Sequence, residues 1–208
     1  MQEIGRKNRL TAFFMLASSV FALAKLDVAT ASPTSNTAQT DAYSRLIQKG
    51  IIRGDPSGAP TAEHALVTRA VYAQLILNAF PAKAKTVGVT GAWPEGPIHS
   101  LAALRVVPSV GSFEQAPKQD ISRQDAVLIA VKCAQITPNM MQAEIIRRKA
   151  APFSDENDIE PTARSAAHLA VALGLIATTP DGHYGLFRPK DNITMGETSV
   201  LIYGLIQH

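Results

Sequence analysis

The sequence predicts an all-α protein of three helix-loop-helix repeats that share one core. Three observations predict it. A segment recurs three times: VTRAVYAQLI from Val67, ISRQDAVLIA from Ile121 and ITMGETSVLI from Ile193. Each copy runs from a β-branched apolar residue through Thr or Ser into apolar residues at helical spacing. Each is preceded by a turn-rich loop, and each loop by a further apolar run. One such pair of helices buries little alone, so the three must pack together. A chain of this kind more often presents a binding surface than one buried reaction centre.

The elements follow in order. Residues 1–31 read as a signal peptide. Arg6, Lys7 and Arg9 form its positive end, Leu10 to Ala24 its apolar run, and Ala29-Thr30-Ala31 its cleavage site. An earlier site after Ala24 and an uncleaved anchor are the alternatives. The apolar run is short for a membrane span, and no cysteine near either site supports a lipid anchor. Without residues 1–31 the chain has 177 residues, 16 of them basic and 15 acidic. That near-neutral balance argues against nucleic acid as a partner, since such binding needs a concentrated basic face.

Residues 32–40 (SPTSNTAQT) are small and polar and read as a flexible leader. The three-repeat domain then covers 41–208, with repeats at about 41–80, 91–136 and 153–208. In the first repeat a short helix closes at Leu46-Ile47 and meets Gly50, a residue suited to a left-handed helix cap. Ile51-Ile52 follow, then the turn Asp55-Pro56-Ser57-Gly58. In the second, Ile98, Leu101, Ala102 and Leu104 lie on a first helix entered through Trp93-Pro94, and Val106-Val107 stand where Ile51-Ile52 stood. In the third, a helix from about Pro161 to Leu173 ends at Gly174. Residues 81–90 and 137–152 read as connections. The second of these holds MMQAEIIRRKA, whose Arg147, Arg148 and Lys149 fit a solvated face.

The second helix of each repeat starts with a capping residue. Ser122 with Asp125, and Thr194 with Glu197, fit a capping box, in which hydroxyl and acid each satisfy a backbone N–H. Thr68 has Val71 in the acid's place, so its box is half made. Val67 can staple onto Tyr72 across the entry turn. Arg69 and Arg123 occupy the first helical position, where a cation opposes the helix dipole. Two roles account for that: contact with an anion, for which the guanidinium fork is suited, or a salt bridge to a neighbouring repeat.

Motifs of catalysis are missing. The histidines His64, His99, His168, His183 and His208 form no HExxH or other close metal pair. There is no Gly-x-Ser-x-Gly elbow and no phosphate-cradling glycine loop. Asp155, Asp158 and Glu160 lack the glycine and distal glutamate of a calcium loop and read as acids favouring the next helix. Cys133, the sole cysteine, excludes an intramolecular disulfide and reads as a core thiol. The sequence therefore predicts no enzyme, no cofactor and no metal.

These motifs in this order resemble the S-layer homology family. The third repeat carries the resemblance over its length, in FSDENDIEPTARSAAHLAVALGLI, DGHYGLFRPKDNIT and MGETSVLIYGLI. The first carries it at GIIRGDPSG and VTRAVYAQLI, and the second at Trp93 and GSFEQAPKQDISRQDA. The resemblance implies a pseudo-threefold helical bundle that holds exported proteins on cell-wall glycan, either a pyruvylated polymer or a peptidoglycan-associated polysaccharide. It implies grooves between repeats that hold the sugar. The family's arginine carries over to Arg69 and Arg123, with Met195 departing. Its acid carries over to Asp125 and Glu197, with Val71 departing. Its early aspartate carries over to Asp155, and Arg105 replaces a helix-ending glycine. Trp93 could stack on a sugar or bury at a repeat junction, and burial is the favoured reading. The implied place is the cell envelope. The rival function is an envelope adaptor or scaffold that binds another protein and no glycan. The sequence reads as holding almost nothing besides repeats, so either the cargo is a separate partner or the repeats have another job.

Overall fold

The computed structural model describes residues 36–53, 62–88, 91–108, 113–134, 152–179 and 185–207. The signal peptide, the Asp55–Gly58 turn and the MMQAEIIRRKA segment lie outside them. The described chain is helical: α1 (Asn36–Gln48), α2 (Arg69–Ala79), α3 (Pro81–Val87), α4 (Glu95–Ala103), α5 (Arg123–Cys133), α6 (Pro161–Ala172) and α7 (Met195–Gln207), with one 3-10 turn at Glu156–Asp158. Among the described residues no helix is long and apolar enough to cross a membrane.

The three capped helices form the centre. Almost every face of α2 and α5 is buried, from Tyr72, Leu75 and Ile76 in one to Val127, Leu128 and Ile129 in the other. A helix apolar on all sides belongs inside. All three caps form. Thr68 Oγ1 accepts from Val71 N at 3.4 Å, Ser122 Oγ from Asp125 N at 3.3 Å, and Thr194 Oγ1 from Glu197 N at 3.3 Å. The third box closes in both directions, because Thr194 N–H donates to Glu197 Oε2 at 3.0 Å. The residues before the caps, Val67, Ile121 and Ile193, are buried. They are joined in a closed ring: Val67 N–H donates to Ile193 O, Ile193 N–H to Ile121 O, and Ile121 N–H to Val67 O, at 2.9–3.2 Å.

The outer helices end alike. Ile51, Val106 and Leu175 donate back to Leu46, Leu101 and Ala170, while the residue before each donates to Ile47, Ala102 and Val171. This is the Schellman pattern, which needs a left-handed residue at the turn. Gly50 and Gly174 supply it with φ of 69° and 68°, and Arg105 takes the same conformation at 58°.

Three features differ from expectation. The helix α1 begins at Asn36, so residues 36–40, expected as flexible leader, are helical. Its Ala42 and Leu46 pack into the core, and Thr40 bonds Glu63. Tertiary contact thus overrides a weak local signal. Pro81–Val87, expected as connection, is α3, with Pro81 in the first turn where its missing N–H costs nothing. The most extensive helix pairs also fall between repeats: α2 with α4, α5 with α6, and α1 with α7. Each outer helix therefore packs on the central helix of the repeat before it, and α1 closes the set on α7.

Candidate functional site

The ring brings the first turn of each central helix against the loop of the next repeat. Arg69 N–H donates to Gln119 O, Arg123 N–H to Asp191 O, and Met195 N–H to Ala65 O, all at 2.8–2.9 Å. The side chains at these three helix starts meet residues that sequence spacing does not connect.

At the second junction Arg123 is buried. Its Nε donates to Phe187 O at 3.0 Å, Nη2 to Ala177 O at 2.9 Å, and Nη1 to Glu197 Oε1 at 2.6 Å. The guanidinium lies 5.6 Å from the Phe187 ring centroid. Burial pulls its pKa down and the Glu197 carboxylate pulls it back, so the cation is held by its partners. Of the two roles open to Arg123, the salt bridge to a neighbouring repeat is the one formed. Glu197 divides its oxygens, one for Arg123 and one for the Thr194 cap.

At the first junction Arg69 is half-buried, 5.1 Å from the Phe113 ring centroid. Its charge reaches Asp125. Burial raises the Asp125 pKa, while the Ser122 hydroxyl, Arg69 and Lys190 work the other way. Arg69 and Asp125 thus occupy the repeat positions of Arg123 and Glu197, coupled through charge in a more open setting. The positions that complete the third junction hold Met195, buried, and Val71, partly buried against the core. The two departures noted in the sequence belong to one junction, which is apolar at both of these positions.

The other expected site residues fall elsewhere. Asp155 stands just ahead of the 3-10 turn at Glu156–Asp158. Its carboxylate accepts from Phe187 N at 2.9 Å and Arg188 N at 2.7 Å, pinning the loop that carries Phe187 under Arg123. It therefore supports Arg123 from outside. Trp93 is not buried at a junction: it is 41% exposed at the entry to α4. Glu160 pairs with Lys190 at 2.9 Å on the surface. Sequence reasoning missed a cluster beneath Asp155. Phe153 stacks on His168 at 4.3 Å, and His168 Nε2 meets Glu156 Oε2 at 2.9 Å. Nothing in the twelve-residue spacing of Glu156 and His168 signals that contact. Cys133 is buried in the core as expected, and burial pushes its thiol up to about 12.

Comparison with known proteins agrees with these elements. The S-layer homology domain family matches residues 152–198. An amylopullulanase of Thermoanaerobacterium thermosulfurigenes is 26% identical over 147 residues, which cover 68% of this chain and 8% of that protein. The exoglucanase XynX of Acetivibrio thermocellus is 24% identical over 147 residues, 68% of this chain and 13% of that protein. The chain therefore spans a small fraction of both relatives. Residues 152–198, within the third repeat, are thus the part of the chain that matches the S-layer homology domain family.

Proposed function

We propose that the chain is an exported, non-catalytic cell-envelope protein that binds cell-wall polysaccharide or a peptidoglycan-linked polymer through three repeats arranged as a pseudo-threefold bundle. The S-layer homology match carries this reading. The two relatives are named as polysaccharide-acting enzymes, and the shared region is about a tenth of each, which fits an attachment part better than a reacting one. Within this reading the first junction meets the polymer. Arg69 offers a guanidinium to an anionic sugar substituent and Asp125 accepts from hydroxyls; exposed Trp93, at the entry to α4, offers a further stacking face. Arg123, Glu197 and Asp155 act indirectly, by holding the second and third repeats together.

The test is sedimentation of the purified chain with wall sacculi, with and without chemical removal of wall polysaccharide. Pelleting with intact sacculi is expected, and Arg69→Ala should weaken it while leaving the helical spectrum unchanged. A chain that stays in the supernatant at low salt overturns the reading.

The internal use of Arg123 and the apolar third junction favour a second reading, since only one of three junctions then keeps a cation in an open setting. In that reading the repeats are a scaffold for another envelope protein, and Arg69→Ala leaves sedimentation unchanged.

A further inference from the structure

The second half of α2, the length of α3 and the residue that follows Ile52 border an open cleft of about 420 Å³. Leu77 and Ala84 contribute apolar surface, and Arg53, Gln74, Asn78 and Lys85 contribute polar groups. The polar groups are set in place. Asn78 Nδ2 donates to Ile51 O at 2.9 Å, Gln74 Nε2 to Asn78 Oδ1 at 2.9 Å, and Arg53 Nε to Gly50 O at 2.6 Å. The two Nη groups of Arg53 have no partner among the described residues. None of the described side chains lining the cleft is acidic.

The repeats supply an internal control. Counted from the helix-ending position, Arg53 corresponds to Pro108 and Ala177. Counted from the cap, Gln74 corresponds to Leu128 and Val200, and Asn78 to Lys132 and Gly204. The third repeat thus has no polar side chain at any of these positions, and no counterpart of α3 is described there. There a Cβ on Gly204 would overlap Leu175, the counterpart of Ile51, so the third repeat fills the space with leucine. The fold does not require the polar set of the first repeat.

We propose that this cleft is a separate binding site for a sugar acid. The arginine fork meets the carboxylate through two parallel hydrogen bonds, and Lys85 adds a second positive charge. The amides of Gln74 and Asn78 can serve ring hydroxyls, having both donors and acceptors. Leu77 and Ala84 cover the apolar face of the ring. The volume lies within the range of about 300–1,000 Å³ usual for small-ligand sites. The choice of a sugar rests on the envelope-glycan reading; the position and the charge do not.

The test is an NMR titration of the purified chain with glucuronate, with glucose and acetate as separate arms. Saturable shifts of the Gln74 and Asn78 side-chain amides are expected with glucuronate and not with the other two. Arg53→Ala and Lys85→Ala each remove an exposed cation without touching the core, and each should weaken binding about tenfold. Gln74→Leu, which copies Leu128, provides a variant of the amide face. Equal response to glucose or to acetate overturns the proposal, as does unchanged affinity in Arg53→Ala and Lys85→Ala. Pelleting with sacculi but no glucuronate binding refutes the cleft and leaves the junction reading standing. Glucuronate binding without pelleting does the reverse.

Discussion

Replacing Arg123 by Met copies into the second repeat the residue the third repeat carries at position 195. The side chain lost is 4% exposed and makes three hydrogen bonds. Met fills the space but donates nothing. The carbonyls of Phe187 and Ala177 lose a donor, and Glu197, whose side chain is 23% exposed, loses its cation. Breaking a buried pair on one side costs about 3–5 kcal/mol. For a chain of this size each kcal/mol lowers the melting temperature by roughly 2–4 °C, so a fall on the order of 10 °C is expected. Glu197→Val alone should also be severe, because it strands a buried guanidinium and opens the Thr194 capping box. The double variant Arg123→Met with Glu197→Val rebuilds the Met195–Val71 combination. It should be more stable than the sum of the single losses, by about 1–3 kcal/mol. Urea and thermal unfolding followed by circular dichroism measure all four corners of the cycle. An Arg123→Met variant within about 0.5 kcal/mol of the parent, or strictly additive losses, would refute the account of the junctions.

Arg105→Gly should stabilise the chain by about 0.5–1 kcal/mol, because a left-handed conformation costs an L-residue more than glycine; a lower denaturation midpoint would contradict this. Asp125 has a folded pKa raised by burial, so its contribution to stability is present below the ordinary carboxylate range and is lost as pH rises through the folded value. Asp125→Asn should flatten that part of the stability–pH curve, and an unchanged curve would count against its burial at the first junction. With its thiol pushed up to about 12, Cys133 should be alkylated at mildly alkaline pH only as fast as the chain unfolds. Rapid labelling of the native chain would place the thiol outside the core.

What was legible in the sequence is what local chemistry decides. A hydroxyl just ahead of a helical apolar run makes a helix start, reinforced by an acid three residues on at Ser122 and Thr194, so the caps at Thr68, Ser122 and Thr194 could be read and all formed. Gly50 and Gly174 marked helix ends for the same reason. The start of α1 was not legible, since its polar first turn becomes helical only against α7 and Glu63. Pro81 was a readable signal for α3, being a residue suited to the first turn of a helix. The exchange of partners, with α4 on α2 and α6 on α5, has no local signature. The roles of Arg123 and Asp155 were hidden for a related reason: their partners include the backbone of residues 177, 187 and 188, and backbone carries no sequence identity. Val71 and Met195 looked like two independent lapses because they lie 124 positions apart. Only the ring makes them neighbours in one junction.

That ring also explains why family likeness and polar surface fall in different repeats. The third repeat supplies the fixed apparatus of the second junction. Asp155 pins Phe187, Phe187 and Ala177 hold Arg123 through their carbonyls, and Glu197 serves both Arg123 and the Thr194 cap. Each of these contacts removes a polar group from water, and so each constrains residue type tightly. A repeat bound by so many internal contacts will look most like its family, and it is the repeat that matches at residues 152–198. The first repeat bears fewer such constraints. Its acid position is Val71, so no carboxylate is tied up there, and Arg69 faces Asp125 in a more open junction. Further along α2, Gln74 and Asn78 spend polarity where the second repeat has Leu128 and the third has Gly204. Match to the family therefore tracks the parts that hold the repeats together. The polar side chains of both proposed sites lie where that match is weaker.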